Sequence, residues 1–211
     1  LGKRRLPMLV IDSPAALSSR NAFSARGAGI LGFSMFGKDV TYALDDNMEL
    51  DVDAIENFLV RNPTGPLFIF GFTFIVWQYL IRQLESRGYS IDLHRGILLH
   101  GGGWKKLQDI SMDSRSFKAK LQSVVGLTKV VNYYGMVEQT GSLFMECDQG
   151  YLHAPVFADV IVRRNHDLQP ASFGEAGVLQ VLSMLPKSYP GHSLLTEDLG
   201  VIHGEDDCSC G

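Results

Sequence analysis

The sequence predicts an α/β protein: a parallel-sheet subdomain with helices on both faces over residues 1–141, followed by a β-rich subdomain over residues 142–211. Three observations carry this. Short, wholly apolar runs such as Leu67 to Phe70 alternate with amphipathic helical segments as far as Tyr133, the pattern of strands buried on both faces. The connections between them are short, which favours right-handed crossovers. After Gly141 the helical periodicity stops, and strand-like segments separated by Gly and Pro turns take over. With 211 residues, 45% of them hydrophobic and 20% charged, the chain can bury a sizeable core.

Each element has a local reason. Leu6 to Ile11 is an apolar run closed by Asp12-Ser13-Pro14, a strand ending in a turn. Residues 24–36 carry apolar positions at mixed spacing with several glycines and read as a weak helix, and Asp39 to Leu44 alternates as a strand. Asp51 caps a helix to Arg61 whose Val52, Ile55, Phe58 and Leu59 share one face, and Asn62-Pro63-Thr64-Gly65-Pro66 stops it. Leu67 to Phe70 is the next strand, and Phe74 to Ser86 a helix ended by Gly88. Ile97 to Leu99, Ser114 to Val125 and Lys129 to Tyr133 continue the strand–helix–strand order. Beyond Gly141, residues 142–147, 160–164, 177–184 and 194–203 read as strands.

Composition excludes several classes of function. A net charge of −4 leaves no electrostatic footprint for nucleic acid, and Lys3-Arg4-Arg5 is too short a cluster to alter that. No apolar stretch reaches the roughly 18 residues of a transmembrane helix. Three cysteines, sparse and odd in number, fit a reducing compartment; with no signal-peptide pattern, the cytoplasm is the expected location. The chain starts at Leu1 and stops at Gly211 after Cys208-Ser209-Cys210, which suggests a piece of a longer polypeptide.

Three turns concentrate the residues suited to chemistry. His100-Gly101-Gly102-Gly103-Trp104 follows an apolar run, and its glycines let backbone approach a flat ring without Cβ interference. Tyr133-Tyr134-Gly135-Met136-Val137-Glu138-Gln139-Thr140 follows the strand through Val130 and Val131, which places Glu138 where strand gives way to loop. Ligands of open α/β sheets collect beyond such strand ends. An acidic turn, Leu195-Thr196-Glu197-Asp198-Leu199-Gly200, comes later. Read singly, each has a plain structural alternative: a surface glutamate, a turn aspartate, and Trp104 as a core anchor.

Together the turns resemble a known family. Tyr134-Gly135-Met136-Val137-Glu138 resembles the Tyr-Gly-x-Thr-Glu signature of acyl-adenylate-forming enzymes, and Thr196-Glu197-Asp198 resembles their Thr-Gly-Asp turn. The wider phrases HGGGWKKL, YYGMVEQTG and SYPGHSLLTEDLG look most like the LuxE-type acyl-protein synthetases, with phenylacetate-CoA ligases as nearer cousins than typical fatty-acyl-CoA ligases. The resemblance spans roughly residues 65–211.

The resemblance implies ATP-dependent activation of a carboxylic acid, a fatty acid first of all, as an acyl-adenylate, then transfer to a thiol on a protein, a carrier or CoA. Glu138 would be the catalytic carboxylate that holds Mg²⁺ against the phosphates, and Asp198 would accept both ribose hydroxyls. Gly101, Gly102, Gly103 and Trp104 would lie along adenine, with Tyr134 and Gly135 completing the nucleotide site. Two positions depart from the pattern. Val137 stands where a hydroxyl residue normally contacts the AMP phosphate, with Thr140 the nearest substitute, and Glu197 replaces a glycine. The family's upstream Ser/Thr/Gly-rich phosphate loop is absent, and its catalytic lysine belongs to a domain beyond Gly211. A CoA ligase of the phenylacetate type and a non-catalytic binding module on the same scaffold remain the alternatives.

His100, His153 and His192 lack metal-ligand spacing. Cys208-Ser209-Cys210, with His203 upstream and Cys147 distant, lacks the two-residue gap usual for zinc, and a similar pair in phenylacetate-CoA ligases makes it a hinge-side feature.

Overall fold

A computed structural model describes residues 4–17, 24–104 and 112–210. The chain divides into two compact units, Leu1–Asn132 and Tyr133–Gly211. The division falls before the predicted 141/142 boundary. Tyr133 and Tyr134, the last residues of their strand, pair antiparallel with Met145 and Phe144 and so belong with the second unit.

The first unit alternates β1 (Leu6–Val10), α1 (Ala25–Ser34), β2 (Gly37–Tyr42), α2 (Val52–Arg61) and β3 (Leu67–Phe72). A helical stretch comes next, made of α3 (Thr73–Ile75), a π segment (Val76–Ile81) and α4 (Arg82–Arg87), then β4 (Gly96–Gly101), α5 (Ser114–Val125) and β5 (Lys129–Tyr134). The sheet order is β2-β1-β3-β4-β5, with β1 parallel to β2 and β3, and β3 parallel to β4.

The central strands lose water on both faces. Met8, Leu9 and Val10 of β1 and Leu67, Phe68 and Ile69 of β3 are wholly buried, which is why their sequence is continuously apolar instead of alternating. Pro7 cannot donate to a ladder, and the β1–β2 register slips between Pro7 and Leu9. Caps set the helix starts: Ser24, Asp51 and Asp113 side chains accept from the backbone N–H of Gly27, Ala54 and Ser116. Phe117, Leu121 and Val125 of α5 are buried at four-residue spacing, one stripe of a helix.

Two features differ from the sequence reading. The helix predicted over 74–86 is regular only at its ends; within the π segment Val76, Leu80 and Ile81 are all buried, and a widened turn keeps the adjacent Leu80 and Ile81 inside together. The turn after β1 holds a buried ion pair: Asp12, 1% exposed, accepts from the Arg26 Nε at 2.7 Å and from the Ser13 amide at 2.6 Å. A carboxylate that deep requires such partners.

In the second unit the end of β5 pairs with β6 (Phe144–Glu146), and β6 with β7 (Leu152–His153), both antiparallel. A separate antiparallel sheet has the order β10-β9-β8, from β8 (Ala158–Arg163), β9 (Ala176–Ser183) and β10 (Ser193–Val201). The two-residue β7 has no counterpart in the sequence reading, being too short for periodicity to register. No helix among the described residues is long and apolar enough to cross a membrane.

Removing the buried ring in Phe68→Ala leaves a cavity that β1 and β4 cannot close, so the midpoint of urea unfolding should fall by the equivalent of about 3–5 kcal/mol. Val60→Ala, at a side chain 75% exposed, should change stability by no more than about 0.5 kcal/mol in the same measurement.

Candidate functional site

The carboxyl end of β5 runs into a single 3-10 turn, Val137–Gln139. Gly135 sits in the exit because a Cβ there would approach Leu143 Cδ2 to 2.8 Å and Ser142 O to 3.3 Å. The turn is anchored by Gln139, 1% exposed, whose amide nitrogen donates to Val181 O at 3.0 Å and Gly191 O at 2.8 Å. A buried amide bonded to two carbonyls fixes the backbone at that residue, and its neighbour Glu138 is left exposed. Glu138 lines a cleft of about 210 Å³ with Val137, Thr140, Leu185, Lys187 and Tyr189.

Asp198 reaches its place by another device. The acidic turn of the sequence reading is a bulge inside the continuous strand β10, whose pairing with β9 shifts register between Leu195 and Leu199. Thr196 shapes the bulge: its hydroxyl donates to Leu179 O at 3.0 Å and accepts from the Asp198 amide at 3.1 Å. The Asp198 carboxylate then accepts from the Tyr134 hydroxyl at 2.8 Å, across 64 residues of sequence. Among the described residues no donor is bonded to the other carboxylate oxygen.

The tyrosines are held neutral. Burial pushes Tyr133 up to about 12, and burial together with the hydrogen bond to Asp198 raises Tyr134 well above the ordinary phenol range. Tyr134 therefore donates to Asp198 throughout the physiological range. Its ring meets Phe144 edge-on at 5.9 Å.

The structure thus brings Tyr134, Gly135, Glu138, Thr140 and Asp198 into one unit. Gly101, Gly102, Gly103 and Trp104 belong to the other, at and beyond the end of β4. Gly102 has φ +76 and Trp104 packs edge-on against Trp77 and Phe117, each at 5.8 Å, the contacts of a core anchor. Its companion His100 is buried, with Nδ1 2.9 Å from the Thr73 hydroxyl. The departure at Val137 is visible: the side chain is 45% exposed and offers no donor. Thr140 donates its hydroxyl proton to Val137 O at 2.8 Å, so donation to a phosphate would require that bond to open. The larger cleft of the first unit, bordered by Asp45, Glu49, Asp51 and Arg87, holds none of the predicted site residues. Asp51 there caps α2, and Asp45 accepts the amides of Asn47 and Glu49.

Spacing along the chain argues against a metal set for the cysteines, but the fold brings the donor atoms of Cys147, His153, Cys208 and Cys210 within 4.8 Å of one another. The β6–β7 hairpin supplies the first two, so spacing along the chain conceals the group. His203 is not a member; its ring lies 5.3 Å from Tyr151. Gln139 and Lys187 were also missed. A glutamine in a polar loop gives no sequence sign of burial, and Lys187 lies in an irregular Leu-Pro-Lys-Ser segment.

The family described as acyl-protein synthetase, LuxE, matches residues 2–211. The long-chain-fatty-acid–luciferin-component ligase of Aliivibrio fischeri is 24% identical over 163 residues, covering 75% of this chain and 42% of the relative. The ligase of the same name from Vibrio harveyi is 25% identical over 139 residues, covering 64% of this chain and 35% of the relative. This chain thus spans less than half the length of either. Among solved structures, ATP-bound MatB from Rhodopseudomonas palustris superposes with a TM-score of 0.59 at 14% identity, covering 94% of this chain and 38% of that one. The fold is that of such domains.

Gln139→Ala strands two carbonyls, each costing about 1–3 kcal/mol, and should lower the urea midpoint accordingly. In an alkaline titration followed by phenolate absorbance, Tyr133→Phe and Tyr134→Phe should each remove one tyrosine from the late-ionising phase. Asp198→Asn should move Tyr134 to lower pH. A tyrosine whose folded pKa is raised contributes stability that is intact below about pH 10 and lost as pH rises through its folded value, so Tyr133→Phe should flatten the stability loss between pH 10 and about 12.

Proposed function

Because this chain belongs to the LuxE acyl-protein synthetase family, we propose that the protein activates a fatty acid with ATP and passes the acyl group to a protein thiol. The observation that carries the reading is the pairing of Tyr134 with Asp198, with the exposed Glu138 turn following Tyr134 directly: two exposed carboxylates on one unit, drawn from two stretches far apart in the sequence. The names of the two bacterial relatives support a long-chain fatty acid as the substrate class.

Each residue has a role that its chemistry supports. Asp198 keeps one carboxylate oxygen for a ribose hydroxyl while Tyr134 fixes the other. Glu138 presents a hard oxygen ligand at the cleft, suited to Mg²⁺, which supplies charge neutralisation at the phosphates. Lys187, on the same cleft, is a second source of positive charge. In the first step the acid's carboxylate oxygen bonds to the α-phosphorus and the bond to pyrophosphate breaks. In the second, a thiolate attacks the acyl carbonyl and AMP leaves with the bonding electrons. An adenine contact for Gly101, Gly102, Gly103 and Trp104 rests on the family resemblance alone. The reducing environment implied by three free cysteines agrees with a cytoplasmic enzyme.

Val137 and the engaged Thr140 hydroxyl favour one rival, a module that binds nucleotide without adenylation. The test is a thermal shift with a non-hydrolysable acyl-AMP analogue at about 100 times its dissociation constant, where binding should stabilise by roughly 2.7 kcal/mol. Asp198→Ala should abolish the shift and Glu138→Gln should preserve most of it. Fatty-acid-dependent pyrophosphate release by the full-length protein should fall at least about 100-fold in Glu138→Gln. A shift with no pyrophosphate release by the wild type would establish the binding module, and release only with an aromatic acid and CoA would establish a CoA ligase.

A further inference from the structure

We propose that Cys147, His153, Cys208 and Cys210 form a structural zinc site that clasps the β6–β7 hairpin to the segment following β10. Three thiol sulfurs and one imidazole nitrogen lie within 4.8 Å of one another, all in the second unit. With Zn–S near 2.3 Å and Zn–N near 2.0–2.1 Å, a tetrahedral site has S···S edges of about 3.8 Å and S···N edges of about 3.6 Å. Cys147 Sγ is 3.9 Å from Cys208 Sγ, and Cys210 Sγ is 3.4 Å from His153 Nε2. Both distances match edges of such a tetrahedron, and the remaining donor separations are no longer than 4.8 Å.

The donor set selects the ion. Soft thiolates with one imidazole suit zinc and exclude the hard cations that need oxygen ligands. A disulfide would engage two sulfurs and give no reason for the third cysteine and the histidine to converge, and the three cysteines are free thiols. The backbone around the first ligand is a closed turn: the Cys147 amide donates to Tyr151 O and the Gly150 amide to Cys147 O, each at 2.9 Å. Four protein ligands close the coordination sphere and leave no position for substrate, so the site is structural.

A clasp would add to a thin attachment: β6 has three residues and β7 two, and β6 is joined to the rest of its sheet only at Tyr133 and Tyr134 of β5. Residues 202–210 form no strand or helix, yet Cys208 meets Cys147 across 61 residues of sequence and Cys210 meets His153 across 57. Metal binding would supply the hairpin and this segment with the free energy their few backbone bonds cannot. None of the four residues belongs to the proposed nucleotide site, so the zinc site stands or falls independently of adenylation.

The test uses the full-length protein, purified without a histidine tag from zinc-supplemented medium and dialysed. Elemental analysis should find zinc equimolar with chain, and Cys208→Ser/Cys210→Ser should reduce it to background. Since that variant can fail to fold, the wild type carries two further measurements. Exchange into cobalt should give thiolate-to-metal charge-transfer absorption and the visible bands of a tetrahedral ion. The three thiols should react with a thiol reagent only as zinc is released by chelator, with a fall in melting temperature that added zinc reverses. No bound zinc, full thiol reactivity in the folded protein without chelator, an octahedral cobalt spectrum, or a Cys147–Cys208 disulfide would each overturn the proposal.

Discussion

The dryness of β1 and β3 on both faces is the constraint on which the first unit depends. A parallel strand cannot return by a hairpin, so each must be followed by a crossover long enough for a helix, and those helices cover the faces. Phe68, Ile69, Met8 and Leu9 have no water-facing side to spend on polar residues, and the sequence there is apolar without alternation. The caps at Ser24, Asp51 and Asp113 then do no more than fix where each crossover begins. The buried Asp12–Arg26 pair shows how narrow the tolerance is: a charge at the end of β1 survives only because a guanidinium and a backbone amide are bonded to it.

The second unit is organised differently. Its sheets are small, and its loops are positioned by individual polar bonds instead of by area. Gln139 ties the turn after β5 to β9 and to the loop at Gly191. Thr196 bulges β10 so that Asp198 meets Tyr134. Each exposed carboxylate of the candidate site is therefore close to a residue that cannot move, which is how a loop residue can be held without losing access to solvent. The free-thiol group at Cys147 extends the same logic to a hairpin with almost no ladder of its own.

The site was only partly legible. The strand-end positions of Glu138 and Gly135 could be read because an apolar run followed by Gly and a carboxylate is a local pattern. Asp198 was readable through its resemblance to a known turn, yet its geometry was not, because a bulge is decided by register with β9 and not by the residues of β10 alone. Val137 already marked a departure in the sequence. That Thr140 commits its proton to Val137 O is a property of the folded turn.

The sequence by itself determined the α/β order, the strand and helix positions of the first unit, and the family to which the chain belongs. Those depend on periodicity, caps and contiguous motifs, all of which act within a few residues. Tertiary structure alone decided that Tyr134 donates to Asp198, that Gln139 is buried, that Tyr133 pairs with Met145, and that Cys147 and His153 join Cys208 and Cys210. These are contacts between residues far apart in the chain, made when a bulge, a hairpin or a buried amide folds one stretch onto another. Spacing along a chain carries no record of such closures, because the backbone conformations that bring the ends together are chosen by packing and hydrogen bonding elsewhere.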